Sequence, residues 1–156
     1  MNRWALLEQS TWAGVAALGF AILFNVPPRA LVVCALGGAL AFFARGGAIG
    51  VYHESLEVES LFAATLISFL AMFWGKRLRV PALVIVIPAV IPLVPGALAF
   101  RTVRDLVELA AYSRHQDAAL IGSVITNGFK TLLVTSAMAL GVALPSLMLR
   151  AKTPMT

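Results

Sequence analysis

Between Arg79 and Arg101 lie 21 consecutive uncharged residues, Val80 to Phe100, and four of them are prolines: Pro81, Pro88, Pro92 and Pro95. A stretch of about 20 apolar residues has the length of one membrane-crossing helix. Each interior proline, however, lacks an amide hydrogen and displaces a carbonyl from the helical ladder. Length therefore predicts a spanning helix and the prolines predict that it is broken. Lipid satisfies no backbone polar group, so the freed groups must be buried in protein or line a watery cavity, as in the discontinuous helices of transporters. The competing reading is a kinked helix that serves only packing.

The rest of the chain is built from the same material. Apolar residues make up 60% of the 156 positions and charged residues 12%, far from the balance of a soluble domain. Five hydrophobic segments are expected, at about 4–24, 30–44, 58–74, 80–100 and 118–149, in a single integral membrane domain covering residues 1–156. The fold class is all-α, a polytopic membrane helix bundle with its fourth segment broken. Segment two is short for a crossing, and either spans a thinned bilayer or only dips into it. Gly46, Gly47 and Gly50 are read as opening a loop that carries His53, Glu54, Glu57 and Glu59. The first apolar run resembles a secretion signal, but no small-residue cleavage site follows it, so it is expected to remain as an anchor.

Apolar residues recur at Val103, Leu106, Val107 and Ala110, with Arg101/Asp105 and Arg104/Glu108 four apart, which predicts an amphipathic surface helix over 101–117. If all five segments cross, one side receives Arg29, Lys76, Arg77, Arg79, Arg150 and Lys152 without an acid. The other receives all seven acids and five basic residues. That segregation places the N-terminus outside and the C-terminus in the cytoplasm, in a bacterial cytoplasmic membrane. Small residues four apart, at Ala13/Ala17, Cys34/Gly38, Gly37/Ala41 and Ala139/Ala143, allow close helix approach, either within the chain or to another subunit.

The net charge of +5 comes from short clusters between apolar runs, without a basic stripe, so no nucleic-acid partner is expected. The single cysteine, Cys34, permits neither an internal disulfide nor a multi-cysteine metal cage. His53 beside Glu54, Glu57 and Glu59 has no second histidine at ligand spacing, so no metal and no cofactor are expected. No nucleophile motif, phosphate loop or acid pair occurs, and the chain is not read as an enzyme. The candidate substrate-binding residues are Pro88, Pro92, Pro95 and Gly96 of the broken segment, joined by Asn127 and Lys130. Lys130 interrupts a long apolar run, and an intramembrane cation facing a cavity suits a carboxylate. Alternatively, Thr131 to Leu149 spans the bilayer alone and Lys130 extends to water at the interface. Asn127 shares its helix face in either case.

The run GFAILFNVPPRAL, Gly19 to Leu31, followed by the proline-rich span ending PLVPG, Pro92 to Gly96, resembles the small half of the threonine/serine exporter family. In particular the chain is similar to the short subunit of split, two-component members, one pair of which is associated with succinate export. The resemblance extends from about Trp12 to Leu149. It implies a secondary exporter of small carboxylates such as succinate, or of threonine and serine, working as a hetero-oligomer with a larger membrane subunit. It marks Asn25, Pro27, Pro92, Pro95 and Gly96 as motif positions; nothing in it demands a lysine at 130. The alternative is a non-transporting scaffold subunit that assembles or stabilises a partner membrane protein.

Overall fold

A computed structural model describes residues 3–52, 55–111 and 118–150. Among the described residues six helices run in chain order: α1 (Arg3–Leu23), α2 (Pro28–Tyr52), α3 (Leu56–Leu78), α4 (Ala82–Val90), α5 (Gly96–Ala111) and α6 (Ala118–Arg150), with a 3₁₀ turn (Ile91–Leu93) after α4. Among the described residues there is no strand. α1, α2, α3 and α6 are each long and apolar enough to cross a membrane, and α4 with α5 makes a fifth candidate span bent by 57°. The chain is thus an all-α membrane bundle with a broken fourth segment.

The helix ends follow from local chemistry. At the end of α1 the Asn25 amide donates to the Ile22 carbonyl and the Val26 amide to the Ala21 carbonyl, at 3.0 and 2.9 Å. This paired closure requires a left-handed residue, and Asn25 adopts φ 55°. Asparagine tolerates that region better than most residues. Pro28 then starts α2, where its missing amide hydrogen costs nothing. α3 closes in a similar way on Arg79, at φ 54°, with the Val80 amide on the Gly75 carbonyl, and Pro81 prevents continuation.

Two expectations are corrected. The glycine run after Arg45 is not a loop: α2 continues through Gly46, Gly47 and Gly50 to Tyr52. In hydrocarbon an unpaired backbone costs far more than the weak helix propensity of glycine, about 1 kcal/mol per residue. Glu57 and Glu59 accordingly lie in the first turn of α3, where the helix dipole favours acids, and Glu59 is 1% exposed rather than in solvent. His53 and Glu54 fall outside the described residues. The surface helix also begins earlier than Arg101. The amides of Leu98 and Ala99 both donate to the Pro95 carbonyl, so α5 starts at Gly96. The end of the expected stretch, 112–117, is outside the described residues.

α2 is the hub, packed against α1, α3 and α4; α3 also carries α6, and α5 lies on α6. Small side chains make these approaches possible. Ala13, Ala17 and Ala21 of α1 are buried, as are Ala30, Cys34, Gly38 and Ala41 of α2. A Cβ on Gly38 would come within 2.4 Å of the Ala17 Cβ, so only glycine fits there. Ala139, by contrast, is exposed. Large apolar side chains point outward instead, among them Trp12, Phe62, Phe100, Ile125 and Leu132. Such a surface belongs in lipid or against another membrane helix.

Candidate functional site

The broken segment is where the backbone must find partners outside its own ladder. Pro88 sits inside α4 and has no amide hydrogen for the carbonyl four residues earlier, that of Val84. The Cys34 thiol of α2 donates to this Val84 oxygen at 3.9 Å, a weak bond suited to a buried sulfur. Beyond the 3₁₀ turn the Val94 amide donates to the Ile91 carbonyl, and the helix then stops. The Leu93 carbonyl receives Nη1 of Arg45, also from α2, at 2.6 Å. Two of the carbonyls at the break are therefore answered by α2, one by a neutral thiol and one by a charged guanidinium.

The nine residues of α4 and the three of the turn rise by only about 20 Å, so this element is too short to cross the roughly 30 Å hydrocarbon core by itself. Pro88, Ala89, Val90, Leu93 and Pro95 are buried, Pro92 is half-buried, and Gly96 is exposed with open space around its Cα. An apolar cavity of about 280 Å³ touches Pro88 and Val84 and reaches Phe24 and Val26, beside the Asn25 turn. Another, of about 240 Å³, lies between α2, α3 and α4, lined by Gly37, Leu40, Ile67 and Trp74 among others. At the far end of α3 a wider recess of about 490 Å³ is rimmed by Lys76 and Arg79.

The charged member of the break has a second relationship. Arg45 feels the charge of Glu59, which lies almost fully buried in the first turn of α3, next to the buried Ser60. Sequence reasoning missed this relationship, because Arg45 falls just past segment two, 30–44, and Glu59 was read as part of a loop. The available signal was that Arg45 is the only charge between Arg29 and His53, within a run long enough for a single helix.

Of the sequence-derived candidates, Pro88, Pro92, Pro95 and Gly96 come together at the break. Asn127 and Lys130 lie on α6, which packs on α3 and α5; Lys130 is exposed and the Asn127 carbonyl accepts the Thr131 hydroxyl at 2.8 Å. Asn25 and Pro27 form the turn between α1 and α2. α5 and α6 share their own polar contact: Asp105, 5% exposed, pairs with Arg104 at 3.1 Å and accepts the Ser123 hydroxyl at 2.8 Å. The expected Arg101/Asp105 pairing gives way to this one because Asp105 turns toward α6. Among the described residues no group of three or more histidine, cysteine or acidic side chains is placed to hold a metal ion.

Comparison with known proteins agrees with this architecture. An uncharacterised protein of Haemophilus influenzae is 29% identical over 149 residues, which is 96% of this chain and 49% of that protein. The chain thus spans about half the length of this relative. No solved structure matches it. The family described as threonine/serine exporter, ThrE, matches residues 9–148, nearly the whole bundle from α1 through the break to the end of α6, and the chain belongs to that family.

Proposed function

We propose that this chain is the small membrane subunit of a two-component secondary exporter. Its cargo is threonine, serine or a small carboxylate such as succinate, moved outward through a bacterial cytoplasmic membrane. The family supports a transporter of small substrates, and the half-length match to a longer relative supports a larger partner subunit that supplies the remainder. The observation that carries the reading is the break itself: a half-helix too short to cross a membrane, with a charged side chain on its last carbonyl. Pro88, Pro92, Pro95 and Gly96 form the cargo-facing element, and Asn127 and Lys130, apart from it on α6, line the part of the path that a partner covers. With five crossings the termini lie on opposite sides, and the segregation of the acids supports an N-terminus outside and a C-terminus in the cytoplasm. The proton gradient is the energy source, by analogy with other secondary exporters.

The test is outward flux of threonine and of succinate from cells that retain the larger subunit. Deleting this chain should abolish flux of the true cargo; unaltered flux of both removes the proposal. A second reading is favoured by one observation, that α2 already answers the Val84 and Leu93 carbonyls, as in a kinked packing helix of a scaffold subunit. Replacing Pro92 and Pro95 by alanine separates the two. Flux lost with the complex intact supports the pathway, whereas loss of the complex supports the scaffold.

A further inference from the structure

We propose that Arg45 is the anchor for the carboxylate of the cargo, and that the Leu93 carbonyl holds its guanidinium when cargo is absent. The inference rests on the exporter reading above and assigns its binding group. A guanidinium carries five N–H donors in a planar fork that matches a carboxylate, and the Leu93 oxygen takes a hydrogen from Nη1. Capping one carbonyl does not need a charge; an amide would donate as well. A charge near the end of the apolar window Pro28–Gly46 is costly to keep, and such residues mark substrate pathways.

The placement fits an exchange. Arg45 is only half-buried, so its guanidinium is not sealed, whereas Glu59 is 1% exposed and fixed in the first turn of α3. α4 and the 3₁₀ turn contribute only apolar side chains and backbone on their side. An incoming carboxylate meets the guanidinium at the point where the half-helix ends, and Glu59 opposes it only through its charge. The apolar surroundings strengthen that interaction relative to water. Every amino-acid or dicarboxylate cargo carries the recognised group, so this anchor reads the carboxylate and leaves the choice of side chain to other contacts.

The experiment uses everted membrane vesicles from cells with this chain and its larger partner, following uptake of radiolabelled threonine. Serine and threoninamide are the competitors, the latter keeping the amine and hydroxyl but lacking the carboxylate. In the natural protein serine should inhibit at least about tenfold better than threoninamide, the size expected for a charge-assisted bidentate contact. Arg45→Gln, which keeps a donor for Leu93, should raise the threonine KM about tenfold or more and leave threoninamide inhibition within about twofold, while Arg45→Lys recovers part of the loss. Glu59→Gln removes the competing charge and should lower the threonine KM.

Equal inhibition by serine and threoninamide in the natural protein overturns the assignment without any variant. So does an unchanged threonine KM in Arg45→Gln, or a KM that stays or rises in Glu59→Gln; the latter decides the matter even if Arg45→Gln fails to accumulate. Vesicles that take up neither threonine nor succinate defeat the exporter reading itself, and the site with it.

Discussion

The Cys34 thiol meets the carbonyl of Val84, the residue four positions before Pro88, across the α2–α4 contact. The oxygen that a proline deprives of its helical partner is the one this side chain covers. The thiol is fully buried, and it is the only one in the chain, which makes it a clean reporter on whether the break is closed. In membranes it should resist N-ethylmaleimide and react completely after denaturation in sodium dodecyl sulfate. Cys34→Ser keeps a donor and should be tolerated, while Cys34→Ala should cost about 1 kcal/mol from a lost weak bond and a small void. Melting in detergent checks the second point, and rapid labelling in native membranes would show the α2–α4 seam to be open.

Gly38 makes one of the closest helix approaches among the described residues, with Ala17 Cβ, Ala13 O and Ala89 O all within 3.6 Å of where a Cβ would sit. Two of these atoms are backbone oxygens that cannot step aside. Gly38→Ala should therefore destabilise by about 1–3 kcal/mol, seen as a lower melting temperature in detergent. Gly122→Ala, where a Cβ meets nothing within 4 Å, should instead be neutral or stabilising by up to about 1 kcal/mol through helix propensity. Equal effects at the two positions would contradict the packing described.

The polar contact between α5 and α6 is a second measurable joint. Removing the Ser123 hydroxyl leaves Asp105 with Arg104, so Ser123→Ala should cost about 1 kcal/mol. Asp105→Ala strips both partners and should cost more, about 1–3 kcal/mol, with proteolysis between α5 and α6 accelerating in parallel. The double variant should be no worse than Asp105→Ala alone, because the hydroxyl has then already lost its acceptor.

What was legible in the sequence was covalent or local. A proline has no amide hydrogen wherever it sits, so the break in the fourth segment was readable, as was the end of the first segment near residue 24. The pairing of Arg45 with Leu93 was not, since the two are 48 residues apart and meet only because α2 and α4 pack side by side. Glu59 was misplaced for a related reason. Glycines that end helices in water continue one in a membrane, which moved the loop boundary and drew an acid into the bundle. The start of α5 was misjudged because Pro95 was counted only as a breaker, although its carbonyl accepts the amides of Leu98 and Ala99 in the first turn of the next helix.

Asn25 holds the α1–α2 turn at φ 55°, where a side-chain Cβ is disfavoured and glycine is not. Asn25→Gly should leave stability within about 0.5 kcal/mol, and Asn25→Val, β-branched in a left-handed position, should lose about 1–2 kcal/mol. Because Val26 is buried at this turn and lines the cavity beside Pro88, the valine variant should also impair export beyond its loss of protein level. Flux normalised to the amount of chain in the membrane makes that comparison.

Lys130 separates the chain alone from the chain in its assembly. It is exposed on α6, and among the described residues it makes no ion pair, so Lys130→Gln should shift the melting temperature of the isolated chain by no more than the equivalent of about 0.5 kcal/mol. With the larger subunit present the same variant should cut threonine efflux several-fold, because the flank that carries Lys130 and Asn127 is the one proposed to face the partner and the cargo. Flux equal to that of the natural protein would assign the ammonium to the membrane–water boundary, where Thr131 to Leu149 is long enough to span below it. That outcome would leave the Arg45 anchor untouched, since the two cations stand on helices that do not share a wall: α2 borders the break, and α6 packs on α3 and α5.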